Sequence, residues 1–224
     1  MAISVITSVI VSYDGTTHDD DALSLARQLA PSGVALSLAY VRHAREYDPR
    51  REEIGAYDAD RRLEQGATWL QSPDIERHVV FDPSTSGGLA RLAEAEGAQL
   101  ILFGSDYRTP PGRVEPQGSA QGLLEGGAVA IGVAQAGQRT NADAPIATIA
   151  VAGAPGGAAD QTARALAATL GAAIVTGLHA DLILVDSQPT APAGRVALGG
   201  TTRAQLDSAR GSVIVLPRDT ALTF

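Results

Sequence analysis

The sequence predicts an α/β fold built on an open, mainly parallel sheet with helices on both faces. Two observations carry that prediction. Short apolar runs alternate with segments of helical period from one end of the chain to the other, the pattern of a doubly wound sheet. The pattern also repeats. Residues 98–119 (AQLILFGSDYRTPPGRVEPQGS) align without a gap onto residues 180–201 (ADLILVDSQPTAPAGRVALGGT), 82 positions further on. Each copy is a buried-strand pattern, a loop carrying Pro-x-Gly-Arg-Val, and Gly-Ser or Gly-Thr opening a helix. Self-similarity at a fixed spacing indicates two related units.

The elements follow in order. The apolar run Ser4–Ser12 is a buried strand ended by Asp14-Gly15. A helix starts at Thr17 or His18, with Asp19, Asp20 and Asp21 in its first turn, where the macrodipole favours negative charge. Ala22, Leu25, Ala26, Leu29 and Ala30 then recur at helical spacing. Pro31-Ser32-Gly33 breaks the helix, and Val34–Val41 is the second strand. The charged stretch Arg42–Asp58 lacks a period and reads as a surface loop running into a helix near Ala59–Gln71. His78–Phe81 is a short third strand. Gly88–Glu96 is a helix with Gly97 placed to terminate it. Leu100–Phe103, a helix from Ser119 to Leu124, and a strand over Ala128–Ala134 complete the first unit. Right-handed crossovers put its helices on both faces.

Ala136–Pro145 is polar and rich in turn formers, so it reads as a linker between a unit at 1–137 and a second at 145–224. The second unit has strands at Ile146–Ala152, Leu182–Val185 and Val213–Leu216, with helices at Ala159–Leu170 and Thr202–Ser208. Ala22-x-x-Leu25-Ala26-x-x-Leu29 matches Ala163-x-x-Leu166-Ala167-x-x-Leu170 at an offset of 141, whereas the later offset is 82. The second copy is therefore 59 residues shorter in its middle. A unit that short exposes too much surface to stand alone and must dock on the first.

Composition narrows the function classes. A net charge of −8 argues against nucleic acid, whose binders present a basic face. There is no cysteine, which removes disulfides and thiolate metal sites and suits a reducing, cytoplasmic setting. No run approaches the length of a membrane span, and Met1–Val11 lacks the basic start of a signal peptide, so no membrane partner is expected. His18, His43, His78 and His179 are scattered without ligand spacing, so no metal site is expected. No Gly-x-Ser-x-Gly elbow or HExxH motif is present.

Ligands of open parallel sheets sit beyond the carboxyl ends of the strands. In the first unit these ends are Ser12-Tyr13-Asp14, Tyr40-Val41 and Gly104-Ser105, and the Gly118-Ser119 turn adds backbone N–H groups at a helix start. Val9-Ile10-Val11-Ser12-Tyr13-Asp14-Gly15, the acidic helix start, Val41, the Leu100–Ser105 strand end and Gly118-Ser119 together resemble the universal stress protein family, and the second unit resembles a truncated, degenerate copy. The resemblance implies a Rossmann-like sheet of order 3-2-1-4-5 and a cofactor, ATP or another adenine nucleotide, with Mg²⁺ beside it. Its adenosine side would be Ser12, Tyr13, Asp14 and Val41. Its phosphate side would be Gly104, Ser105, Asp106, Gly118, Ser119 and Ala120. The chain departs from the family loop, Gly-x-x-Gly, nine residues, Gly-Ser/Thr. Tyr107 replaces the second glycine and ten residues precede Gly118. Tyr107 adds bulk, three prolines remove donors and Asp106 adds charge. A Tyr107 ring lying between Val41 and Gly104 would exclude nucleotide.

Several readings stay open on sequence alone. Asp14 is a ligand or a cap of the turn to Thr17. Ser119 is a phosphate ligand or an N-cap. Pro-x-Gly-Arg-Val is a phosphate arm or a structural turn. Asp19-Asp20-Asp21 is read as a charged helix start rather than a cation site. The run Arg42–Glu53 is a solvated loop or helix start, or else a partner-binding lid over the site. In the second unit Asp186 stands where the first has Gly104, and that unit is read as structural. The expected function is a stress-response regulator that binds an adenine nucleotide and signals by conformation, not an enzyme. The alternatives are a protein-interaction scaffold with an unknown protein partner and an enzyme of the nucleotide-binding α-hydrolase group. The resemblance implies last strands that pair antiparallel across a dimer; here the two units are expected to pair so within the chain, as a pseudo-dimer, or the chain forms a homodimer.

Overall fold

A computed structural model describes residues 7–224. The expected start of the first strand at Ser4 lies partly outside the described residues. The first half contains β1 (Ser8–Ser12), α1 (Asp19–Leu29), β2 (Ala35–Arg42), α2 (Pro49–Trp69), β3 (Glu76–Phe81), α3 (Thr85–Glu96), β4 (Leu100–Phe103), α4 (Gly118–Leu124) and β5 (Ala130–Val133). The second contains β6 (Thr148–Ala152), α5 (Ala158–Leu170), β7 (Ala173–Val175), β8 (His179–Asp186), α6 (Gly200–Ser208) and β9 (Arg210–Leu216).

The strands form one nine-stranded sheet of order β3-β2-β1-β4-β5-β9-β8-β6-β7. All neighbours are parallel except the central pair, where β5 and β9 run antiparallel with Ile131 opposite Val215 and Val133 opposite Val213. The first half thus has the expected 3-2-1-4-5 order, and the last strand of each half meets the other at the centre of a continuous sheet.

Strand alternation builds a core on each face. Val9, Val11, Leu100 and Leu102 point to the layer that buries α1, α2 and α5 through Leu25, Leu29, Leu63 and Leu166. Ile10, Ile101 and Phe103 point to the layer of α3, α4 and α6, with Leu89, Leu124 and Leu206. Central strands buried on both sides read as unbroken apolar runs, which is why β4 and β8 were legible as strands.

Elements β3, α3 and β9 begin two or three residues earlier than expected, and two larger differences stand beside them. Helix α2 begins at Pro49, ten residues before Ala59. Asp48 caps it, accepting from the N–H groups of Arg50 (2.8 Å) and Arg51 (3.3 Å), and Pro49 takes the first helical position. The charged face of this long helix masked its period. The loop before it is folded, with Arg42 holding Glu52 through two bonds of 2.9 and 3.0 Å. In the second half β7 is an added edge strand. The chain passes from it to β8 through residues 176–178 with no helix between, Gly177 supplying the left-handed turn at φ +91°. The missing stretch of the second half therefore corresponds to α2, β3 and α3. No helix among the described residues is long and apolar enough to cross a membrane.

Candidate functional site

The crevice at the carboxyl ends of β1 and β2 is small, about 240 Å³. It gathers Ser12, Tyr13, Asp14, Val41 and Ser119 of the expected set. It also collects residues the sequence reading did not place in the site: Asp19, read there as a helix start, His43, read as a scattered histidine, and Arg62 and Gln117. The three aspartates that open α1 diverge, as adjacent helical positions must. Asp19 accepts from the Asp14 backbone N–H at 2.7 Å, Asp20 from the Tyr13 hydroxyl at 3.2 Å, and Asp21 from the N–H groups of Gly137 and Arg139.

Electrostatics in the crevice are dominated by burial. Asp19 is 5% exposed. Its carboxyl is pushed well above the usual range by desolvation and by the neighbouring Asp14. Burial also raises Asp20. The Tyr13 phenol is raised by burial and by Asp20, so it remains a hydrogen-bond donor. Asp14 is exposed; its side chain accepts from Thr16 N–H at 2.9 Å, closing the turn one residue earlier than expected. Arg62 donates to the Asp14 carbonyl and stacks over Tyr40.

Of the expected phosphate side, Ser119 alone lines the crevice. A Cβ at Gly104 would stand 2.0 Å from the His18 carbonyl oxygen, so this glycine is required by close packing against the start of α1. The Ser105 hydroxyl is buried and donates to Ala134 O at 2.6 Å. Asp106 accepts from Arg108 N–H at 3.0 Å, within its own turn. Ala120 is fully buried in the core. Gly118 is the first residue of α4 and does not line the crevice, and the N-cap is Gln117, not Ser119. The Gln117 amide spans the opening, donating to Gly104 O at 3.0 Å and to Asp19 Oδ1 at 3.4 Å. The Tyr107 ring lies elsewhere: it is 60% exposed and carries the Arg108 guanidinium over its face.

The two Pro-x-Gly-Arg-Val loops make the same bonds 82 positions apart. Ser105 and Ser187 hydroxyls donate to Ala134 O and Leu216 O, both at 2.6 Å. Asp106 and Gln188 N–H donate to Glu115 O and Ala197 O, at 2.8 and 2.9 Å. Gly112 and Gly194 N–H donate to Ala136 O and Arg218 O, at 2.9 and 2.8 Å. Their arginines then cross the central seam in opposite directions: Arg113 donates to Asp207 O at 2.9 Å and Arg195 to Gly126 O at 3.3 Å. The motif is a structural arm, which decides between the two readings left open by the sequence.

The second half holds a larger opening, about 790 Å³, at the ends of β6 and β8. Its size was not expected. With no counterpart of α2 or α3, less of the chain covers these strand ends. Asp186 occupies its floor, accepting from Ala154 N–H at 3.1 Å and from Ala159 N–H at 2.8 Å in the first turn of α5. A carboxylate already fills the place where a helix start would attract an anion. Arg218, the cation in its lining, is turned to the carbonyls of Pro189 and Ala191.

No protein-family model matches the chain, and no curated protein does. Solved structures do. A universal stress protein from Archaeoglobus fulgidus superposes with a TM-score of 0.71 at 13% identity, covering 94% of this chain and 98% of that one. A putative universal stress protein from Pseudomonas aeruginosa gives 0.61 at 14% identity, over 98% and 96%. A functionally unknown protein from Pseudomonas aeruginosa gives 0.62 at 14% identity, over 97% and 95%. This chain therefore has the fold seen in universal stress proteins, nearly end to end.

Proposed function

We propose that the chain is a stress-response regulator of the universal stress type, formed by duplication of one unit and loss of the middle of the second. It binds an adenine nucleotide with a short phosphate chain, AMP in preference to ATP, in the first crevice, and signals by conformation without turnover. The observation that carries this reading is the split state of the crevice. Ser12, Tyr13, Asp14 and Val41 converge on it, while Gly104 is packed against the His18 carbonyl and Ser105 and Asp106 are bonded elsewhere. Arg62 is the one arginine in its lining and is already engaged by the Asp14 carbonyl, which disfavours a polyphosphate with or without Mg²⁺.

Calorimetric titration with AMP, ATP and adenosine tests this reading, with Asp14→Ala as the control and circular dichroism to show that the variant folds. The expected result is heat with AMP, weaker heat with ATP, and loss of both in Asp14→Ala. Absence of heat from all three, or binding indifferent to Asp14, overturns it.

A second reading, a scaffold acting through protein contacts, is favoured by one observation. Tyr47, Ile54 and Tyr57 are exposed on α2 and the loop before it. Ile54 and Tyr57, three residues apart on the helix, share one side of it. Silence in the titration with a partner captured through this helix would select the scaffold.

A further inference from the structure

We propose that Glu76, His78 and Glu96 form a binding site for a divalent transition-metal ion, Zn²⁺ foremost, at the outer edge of the sheet. Glu76 and His78 are alternate residues of β3 and so point to the same face. Glu96 is the last residue of α3. One ligand atom from each lies within 4.8 Å of the other two.

The imidazole supplies the second observation. His78 is partly buried, with its side chain 15% exposed. Its Nε2 atom is inaccessible to solvent and has no hydrogen-bond partner among the described residues. A buried ring nitrogen without a partner loses the bond it would have made to water. The nearest carboxylate oxygen, Glu76 Oε1, stands 3.7 Å away, too far for a hydrogen bond. That gap suits a bridging ion. With metal–ligand distances of 2.0–2.2 Å, donors of a tetrahedral site stand about 3.4 Å apart. The pair is near that spacing already, and the exposed carboxylate of Glu96 needs to draw in by about 1 Å on the same basis.

The donor set chooses the ion. One imidazole and two carboxylates, with no thiolate, suit Zn²⁺, Co²⁺ or Ni²⁺; Mg²⁺ and Ca²⁺ prefer oxygen alone. Three protein ligands leave a fourth position for water. Glu96 also stands at the negative end of α3, which favours a cation. The site is remote from both crevices, at the amino-terminal end of β3. Binding would tie α3 to an edge strand that pairs only with β2, which is its proposed role.

The test uses the tag-free chain, because a polyhistidine tag binds the same ions. Zn²⁺ is titrated against a chromophoric chelator, Co²⁺ by its visible absorption, and Mg²⁺ is added as competitor. Circular dichroism checks the fold of His78→Ala, Glu76→Gln and Glu96→Gln. The expected result is one equivalent of Zn²⁺ or Co²⁺, indifference to Mg²⁺, and at least about a tenfold loss of affinity in each variant, since even outer partners of a metal ligand are worth that much. Unchanged affinity in His78→Ala, equal competition by Mg²⁺, or no binding at millimolar metal would overturn the proposal.

Discussion

The contact that sets how the chain leaves the first half is open to a direct perturbation, Asp21→Ala. Asp21 is 1% exposed in the first turn of α1. Its carboxylate accepts three bonds from the connecting segment: Gly137 N–H at 2.9 Å, Arg139 N–H at 2.8 Å and the Arg139 guanidinium at 2.8 Å. Hydrogen bonds to a charged group contribute about 1.5–3 kcal/mol each. They share one acceptor, so they do not add. The Arg139 side chain keeps 36% of its surface in water, so solvent recovers part of its loss. Removal of one partner of a buried pair costs about 3–5 kcal/mol, and the half-wet arginine argues for the lower end, about 3–4 kcal/mol. For a chain of this size each kcal/mol moves the melting temperature by roughly 2–4 °C. Asp21→Ala should therefore lower Tm by roughly 6–16 °C, and Asp21→Asn, which keeps one acceptor, by less. Arg139→Ala should cost less, about 2 kcal/mol, because the buried Asp21 carboxylate loses its ion-pair partner but keeps both backbone donors. Calorimetric or circular-dichroism melts at neutral pH measure all three. A drop in Asp21→Ala smaller than about 3 °C would refute the reasoning, for it would show the connecting segment to be held by other contacts.

Gly104→Ala separates packing from phosphate approach: with a Cβ 2.0 Å from the His18 carbonyl, it should lose about 3 kcal/mol of stability without any ligand present. An unchanged melting temperature would return Gly104 to the ligand-approach reading. Asp19 binds its proton more tightly folded than unfolded, so the stability its protonation contributes is present at low pH and lost as pH rises from about 4 through its raised folded value. Asp19→Asn mimics the protonated form; urea midpoints should show its advantage over the parent chain growing with pH, and a shrinking advantage would reverse the assignment.

What could be read from the residues follows from how local the cause is. Buried strands declare themselves by unbroken apolar runs, and β4 was placed at its observed bounds, Leu100–Phe103. The pairing of β5 with β9 was implied by the family resemblance, with two apolar last strands each needing a neighbour in support. Helix α2 was shortened because its exposed face dilutes the period, although Asp48-Pro49 carried a capping signal that composition obscured. The candidate site was half legible. Ser12, Tyr13, Asp14 and Val41 are fixed by strand ends, which sequence locates well. Gln117 and Arg62 reach the crevice from other elements, and His78 meets Glu96 only through the sheet register. Nothing in the spacing of four histidines could show that.

The arms at the seam give a physical reason for the split crevice. Each loop between a strand end and the next helix has one backbone and one set of donors. Here those donors serve the join between halves: Ser105 and Ser187 are buried on carbonyls of the last strands or just beyond them, and Arg113 and Arg195 each grip the opposite half. A loop so held cannot wrap a phosphate chain without breaking buried hydrogen bonds, each costing about 1–3 kcal/mol when a partner is left unpaired. In the second half Asp186 removes the conflict by placing a fixed carboxylate at the start of α5, where a bound anion would otherwise sit. In the first half Gln117 does so with an amide, which can rotate away. The asymmetry between an acidic side chain locked by two backbone donors and an amide held by longer bonds is the reason the first crevice, though smaller, is the better place to look for a ligand.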